Sequence, residues 1–445
     1  MWSPDRPNPQ PHSQKERGTL DHGPQIGSLA EARDLYTNEN TYRYTRLPVE
    51  RALTLNPNAY RTPEFFAVEL EQVWARGWVC VGYTAQVAQP GDMLVTSIGD
   101  QPLFVTRNKQ GALRAFYNVC RHRGSQLLSE NCNHEVIRCP YHCWGYSLDG
   151  ELLGAPYFKG LDVPPEEQAL YDTSEVQEFR KEDYPLLPVR VDHWGCFVFV
   201  NLSEDAPPLR EWLGDLPERF AHFPLDELQL VRRREIPINA NWKLIAENFM
   251  EYYHLPWVHP ELCNVSGFKD HYRYQGPGMY TGMCTSPLTY DPNTVRLDLP
   301  NMPGLNPTES RSAYWVWMFP NVAWFLLPNH LFTLLVRPDT HGRTLECADM
   351  LVHPSALQQP DAQQRIDAVF AFWDMVNSQD IGAVERVQRG LTARAYKGGR
   401  MCFRFEEPVH RFQNMVIDRM VGRQRVPEGD ATEEAPVLAA ATGNE

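Results

Sequence analysis

Two short runs constrain this chain's fold more than any other part of its 445 residues. They are "NVCRHRGSQL" and "RCPYHCWGYSLDG". Cys120 and His122 stand as Cys-x-His and, with sixteen residues between His122 and Cys139, Cys139 and His142 stand as Cys-x-x-His. Short alternating runs flank both: "MLVTSIGDQPLFVTRN", "LRAFYNVC", "HEVIRCP" and "WGYSLDGELLG". Alternation broken by Gly, Asn and Asp reads as antiparallel strands with tight turns, and Asp149-Gly150 is a strong hairpin signal. Each loop between strands then offers one thiol and one imidazole. That donor set suits tetrahedral zinc, or a [2Fe–2S] cluster with both cysteines on one iron and both histidines on the other. Zinc fingers usually pair Cys with Cys and His with His. One of each per loop better suits a cluster gripped between two loops. Cys132 and Cys143 fall outside the pattern and read as small core residues.

The other cysteines are scattered among a total of ten, and local clustering in a long chain favours metal over disulfides. A formal charge of −14 argues against nucleic acid or an anionic membrane as partner. No apolar run is long enough to span a bilayer. The opening "MWSPDRPNPQPHSQKERGTLDHGPQ" is polar and Pro-rich, without a secretory core, so a cytoplasmic location is expected. Residues 1–60 read as an N-terminal arm, partly disordered, with a short helix near "SLAEARDLY". An acidic, irregular stretch over 165–185 marks a boundary between units at 61–185 and 186–425, and 426–445 reads as a disordered tail. In the second unit, residues 262–311 read as a long loop, "SAYWVWMFPNVAWFLLPNHLFTLLVRP" and "TLECADMLVHP" as antiparallel strands, and 361–390 as a long helix.

A second group of donors sits in "ENFMEYYHLPWVHPEL", with Glu247, Glu251, His254, His259 and Glu261 amid large apolar residues. The run "NANWKLIAENFMEYYHLP" predicts a helix capped by Asn239 or Asn241 and stopped by Pro256. Glu251 and His254 would share a face, with Asn248 one step back, and His259 would turn back beyond the helix end. Solvated histidines would produce the same text. A third donor can come from the long helix, where Ile366, Val369, Trp373, Val376, Asp380, Val384 and Val387 recur in steps of three and four. That puts Asp380 on the inward face. A buried carboxylate there must find an Arg, an N–H donor or a metal.

The Cys-x-His and Cys-x-x-His pair resembles the Rieske motif of ring-hydroxylating-type oxygenases. The cysteines that form a disulfide between the loops in respiratory Rieske proteins are replaced by Ser125 and Tyr141. The second stretch resembles the iron motif of the same family, and "QDIGAVERVQRGL" its last helix. The resemblance covers about residues 60–415. It implies a [2Fe–2S] cluster on Cys120, His122, Cys139 and His142, and mononuclear iron(II) on His254, His259 and Asp380. It gives Glu251 the place of the acid that links the iron histidine to the Rieske histidine of a neighbouring subunit. Many members have Asp there, and some that act on quaternary amines share Glu. Asn248 matches an asparagine near the iron. The implied fold is α+β: an antiparallel β Rieske domain at 61–185, and a helix-grip catalytic domain at 186–425 with a curved antiparallel sheet and long helices. The implied assembly is a homotrimer. Oxygen is the co-substrate, and electrons come from NAD(P)H through a separate flavin or ferredoxin type reductase. No Gly-rich dinucleotide fingerprint follows a strand in this chain.

For the small-molecule substrate, Trp315, Trp317, Phe319 and Trp324 form a candidate pocket wall, with Trp315, Trp317 and Phe319 on one face by alternation. Aromatic walls suit a quaternary ammonium by cation–π contact, and equally suit an aromatic ring. The text around 387–412 resembles choline, betaine and carnitine oxygenases. The expected reaction is therefore hydroxylation of a quaternary or methylated amine, with N-demethylation or C–N cleavage. Ring hydroxylation of an aromatic acid is the alternative. A Rieske electron carrier without chemistry of its own and a zinc-binding interaction protein are the readings from other classes.

Overall fold

In the computed structural model, residues 28–170, 172–288 and 298–426 are described. The fold is α+β and is built on two large antiparallel sheets. The first has seven strands in the spatial order Val79–Tyr83, Phe197–Asn201, Pro188–Trp194, Leu113–Tyr117, Gln101–Arg107, Asp92–Ile98 and Cys132–Asn133. A three-stranded sheet of Ile137–Arg138, Gly145–Tyr146 and Leu152–Gly154 carries the second Cys/His loop. The Asp149-Gly150 turn forms, with Gly150 at φ +87° where an added Cβ would strike the Phe116 ring. A small core of Phe104, Phe116, Trp144, Tyr146 and Leu148 supports both loops and takes in Cys120 and Cys139.

The second sheet also has seven strands, in the order Gln229–Ile238, Arg343–Val352, His330–Thr340, Val322–Leu327, Ala313–Met318, Tyr280–Thr285 and His271–Tyr274. The helices Trp242–Phe249, Ala362–Gly390 and Phe403–Val421 belong to this unit. The long helix buries Ile366, Val369, Trp373, Val376, Asn377 and Val384, the inward stripe expected of it. Val387 departs from that stripe and is exposed.

Four sequence expectations change. Residues 28–60 are not a free arm: Leu29–Tyr36 is a helix, and Ala32, Tyr36 and Tyr42 are buried in the main core. Arg46 ties this segment to Asp418 at 2.6 Å, and Leu55 N–H donates to Gln413 Oε1 at 3.1 Å. The rest of the expected arm, and all of the expected tail but Val426, lie outside the described residues. Residues 188–201 do not start the second unit, because their two strands pair back into the first sheet through Val79–Tyr83 and Leu113–Tyr117. The supposed loop at 262–311 contains the edge strand His271–Tyr274 and its neighbour Tyr280–Thr285, too short for periodicity to register. Among the described residues, no helix is long and apolar enough to cross a membrane.

The fourth change concerns the donor-rich stretch. Asn241 caps the helix by accepting the Lys243 N–H at 3.0 Å. The helix ends at Phe249, not at Pro256. Pro256 instead opens a separate helical turn, Leu255–Val258, a position where its missing N–H costs nothing. His254 and His259 stand at the two ends of that turn.

Candidate metal centres

The first Cys/His pair lies on a tight loop in which Cys120 N–H donates to Ser125 O and Gly124 N–H to Cys120 O. The second loop repeats the device, Cys139 N–H donating to Trp144 O and Cys143 N–H to Cys139 O. Both cysteines are buried and unpaired. Cys143 is exposed and not part of the core. The His122 and His142 rings lie 4.7 Å apart, and His122 stacks on Trp144 at 4.9 Å. Nδ1 of His122 is buried without a hydrogen-bond partner. Such an orphan is costly unless a group outside the chain satisfies it. Burial lowers the His122 pKa, with the charges of His142 and Arg123 acting the same way. Burial opposes ionisation of Cys139, but the backbone N–H groups of His142 and Tyr141, with Cys120, outweigh it and lower its pKa. Burial holds the Cys120 thiol above its usual pKa, so of the two thiols Cys139 is the one this fold stabilises as a thiolate without the cluster. Two thiolates and two imidazoles are the donor set a Rieske cluster takes. The residues fit the group.

The second centre gathers His254, His259 and Asp380, whose donor atoms lie within 4.8 Å of one another. His259 Nε2 is 2.7 Å from Asp380 Oδ1, and His254 Nε2 is 3.5 Å from it. The opposite ring nitrogens are anchored. His254 Nδ1 meets Glu251 Oε1 at 2.5 Å, and His259 Nδ1 meets Gln379 Oε1 at 2.7 Å. Anchoring Nδ1 fixes which tautomer and which nitrogen faces the centre. Burial works against a charged His254, but the hydrogen bond and charge of Glu251, with Asp380 behind, outweigh it and raise its pKa. Glu251 does this from outside any helix: its Oε2 accepts the backbone N–H groups of Tyr253 and His254, capping the next turn. Asn248, at the end of the preceding helix, donates to Asp380 Oδ1 at 2.7 Å. Two imidazoles and one carboxylate on one side, with open space on the other, fit a non-haem iron.

That open space is a small, half-open pocket lined by Phe249, Tyr252, Trp315, Phe325, His271 and Met283, besides the donors themselves. Of the four candidate wall residues, only Trp315 lines it. Trp317 shares its face but is buried between Phe249 and Phe412. Phe319 packs on Trp212, Trp242 and Phe412. Trp324 points to the opposite face, among Trp194, Phe197 and Phe220. Phe325 joins the wall because it pairs directly with Trp315 across the hairpin. Tyr252, His271, Met283 and Gln379 carried no sequence signal, since chain reversals bring them to the site. His271 is kept neutral, burial pushing its pKa down to about 4.

Residues 77–165 match the Rieske [2Fe-2S] domain, and residues 225–422 the ring hydroxylating alpha subunit (catalytic domain). The carnitine monooxygenase oxygenase subunit of Acinetobacter pittii is 30% identical over 352 residues, 76% of this chain and 85% of that protein. The glycine betaine monooxygenase oxygenase subunit of Chromohalobacter salexigens is 29% identical over 401 residues, 82% of this chain and 85% of that protein. The solved quaternary ammonium Rieske monooxygenase CntA aligns with a TM-score of 0.70 at 26% identity, over 85% of this chain and 98% of that one. The fold and its two centres define an oxidoreductase of the Rieske type. The chain belongs to the Rieske non-haem iron oxygenases, as a ring-hydroxylating alpha type oxygenase subunit. Its cofactors are a Rieske [2Fe–2S] cluster and a mononuclear iron. Membership sets aside the electron-carrier and zinc readings.

Proposed function

We propose that this chain hydroxylates a quaternary or methylated amine at a carbon bonded to nitrogen, leading to N-demethylation or C–N cleavage. The observation that carries this reading is the cavity wall. Phe249, Tyr252, Trp315 and Phe325 surround a space whose charged lining, among the described residues, is the donors and Glu251. Aromatic faces and carboxylates attract a cation, and among the described residues no Lys or Arg lines the cavity to receive an aromatic acid. The relatives named above support the same substrate class.

In this reading His254, His259 and Asp380 hold the iron, and Cys120, His122, Cys139 and His142 hold the cluster. The iron supplies open coordination positions for oxygen beside the substrate. Glu251 and Gln379 keep both histidines presenting Nε2, and Asn248 keeps Asp380 turned toward them. Leu255, Leu262, Met283 and Val376 exclude water from the substrate side. One oxygen atom enters a C–H bond and the other leaves as water, which takes two electrons and two protons. The electrons come from NAD(P)H through a separate reductase of flavin or ferredoxin type. The naming of relatives as oxygenase subunits supports such a division.

The same reading includes a homotrimer. Tyr141 and Tyr157 are exposed beside the cluster loops, and Tyr253 and Trp257 beside His254, with Trp257 82% exposed. Two apolar patches, one at each centre, suit a head-to-tail ring in which one covers the other. Glu251 then couples the iron of one subunit to the cluster of the next. Ten unpaired cysteines suit a reducing compartment, so a cytoplasmic location belongs to the reading too. Reductase-dependent oxygen uptake with methylated amines and with aromatic acids tests it. Uptake coupled to aldehyde release from an amine is expected, and uptake with an aromatic acid alone contradicts the substrate class.

A further inference from the structure

Behind Asp380, between the sheet and the long helix, lies a second, small cavity whose free space of about 20 Å³ admits a single water. Its lining is apolar except for Asn248, Asn377, Asp380 and Glu346. Glu346 sits in the strand Arg343–Val352, paired with Ile236 on one side and Val336 on the other, and is 0% exposed. Its Oε1 accepts from Asn377 Nδ2 at 2.6 Å. Its Oε2 is buried and has no hydrogen-bond partner. Asn377 precedes Asp380 by three residues on the helix, so the Glu346 pair and Asp380 share one helix face.

An unpaired carboxylate oxygen in an apolar cavity is expensive, and a protonated carboxyl with a water on it is not. Burial pushes the Glu346 pKa up to about 7; Asn377 pulls it down, and the charges of Asp380 and Asp374 push it further up. Iron on Asp380 would offset that carboxylate's charge, leaving burial, the largest cause, to keep Glu346 protonated; among the described residues, no Lys, Arg or His lines this cavity.

We propose that the cavity holds a water bridging Glu346 Oε2 to Asn248 and Asp380, and that Glu346 is a positioning residue that stores a proton for the oxygenase reaction. The inference rests on the reading of Asp380 as an iron ligand. The reaction consumes two protons inside an apolar pocket, and Glu346 supplies one. Its O–H bond breaks, the proton passes to the bridging water, and that water releases another proton past Asp380 toward the substrate side. Glu346 is left a carboxylate and regains a proton from solvent between turnovers.

Glu346→Gln keeps the volume and an acceptor for Asn377 but has no proton to give. A purely structural Glu346 therefore predicts an enzyme close to wild type. With the reductase present, the expected result is unchanged iron content and KM, kcat lower by about tenfold or more, a larger solvent deuterium isotope effect and more peroxide per oxygen consumed. Wild-type kcat, isotope effect and peroxide yield overturn the proposal. Infrared difference spectra across neutral pH, taken on metal-free protein, give a second readout. Wild type should show two protonated carboxyl components titrating near neutrality, one lost in Glu247→Gln and the other lost in Glu346→Gln. Absence of a band that depends on Glu346 also overturns it. Failure of the iron reading shows separately, as iron retained in Asp380→Ala.

Discussion

Asn248 Nδ2 donates to Asp380 Oδ1 at 2.7 Å, joining two helices across 132 residues of chain. The same oxygen receives His259 Nε2 at 2.7 Å and faces His254 Nε2 at 3.5 Å. One carboxylate oxygen thus gathers the side-chain nitrogens of three residues from two segments. Removing Asn248 frees Asp380 to rotate away. Asn248→Ala should weaken mononuclear iron binding by about 10- to 100-fold, read by chelator competition, with the cluster content unchanged.

Trp315 is the one candidate wall residue that reaches the cavity beside the donors. Trp315→Leu keeps an apolar wall but removes its π face. KM for a quaternary ammonium substrate should rise about tenfold, roughly 1–2 kcal/mol. Inhibition by a neutral isostere of that substrate should change much less, and equal loss for both would remove the cation–π argument.

Beneath the same helix, Lys243 Nζ lies 2.7 Å from Glu69 Oε1, both side chains fully buried, and Trp242 Nε1 donates to Glu69 Oε2 at 2.9 Å. This pair fastens the segment before the first sheet to the helix that leads into the iron site. Lys243→Met leaves the buried Glu69 without its cation, held only by Trp242. Urea unfolding should show a loss of about 3–5 kcal/mol.

Glu247 sits beside that pair and accepts from Tyr60 Oη at 2.6 Å and Gln413 Nε2 at 2.9 Å. Burial pushes its pKa from 4.5 up to about 7, against the pull of Tyr60, Gln413 and Lys243. The folded state therefore keeps a proton over a range in which the unfolded chain has lost it. That contribution is full below about pH 4.5 and is lost as pH rises to about 7. Glu247→Gln should flatten this slope. In urea unfolding above neutral pH the variant should be more stable than wild type, by up to about 3 kcal/mol.

What the sequence revealed depended on how local each signal was. The cluster donors are legible because each loop spells its pair within four residues and the flanking strands alternate. Asp380 is legible because a long helix buries one stripe. The wall residues were misread because alternation gives the face of a strand, not the position along it. Trp317 shares the face of Trp315 yet lies deeper, under Phe249 and Phe412. Phe325 became a wall residue through the register of a hairpin. The end of the helix at Phe249 was hidden as well. Nothing in the local text forbids another turn, and the break depends on Glu251 capping the turn that Pro256 opens. The return of residues 188–201 to the first sheet is a long-range pairing that no local pattern encodes.

The central claim is that His254, His259 and Asp380 hold the mononuclear iron. Iron analysis of Asp380→Ala, with the electron paramagnetic resonance spectrum of the reduced cluster, tests it most directly. One iron fewer per chain than wild type, an unchanged cluster signal and no turnover are expected. An Asp380→Ala protein that retains its full iron complement would contradict it.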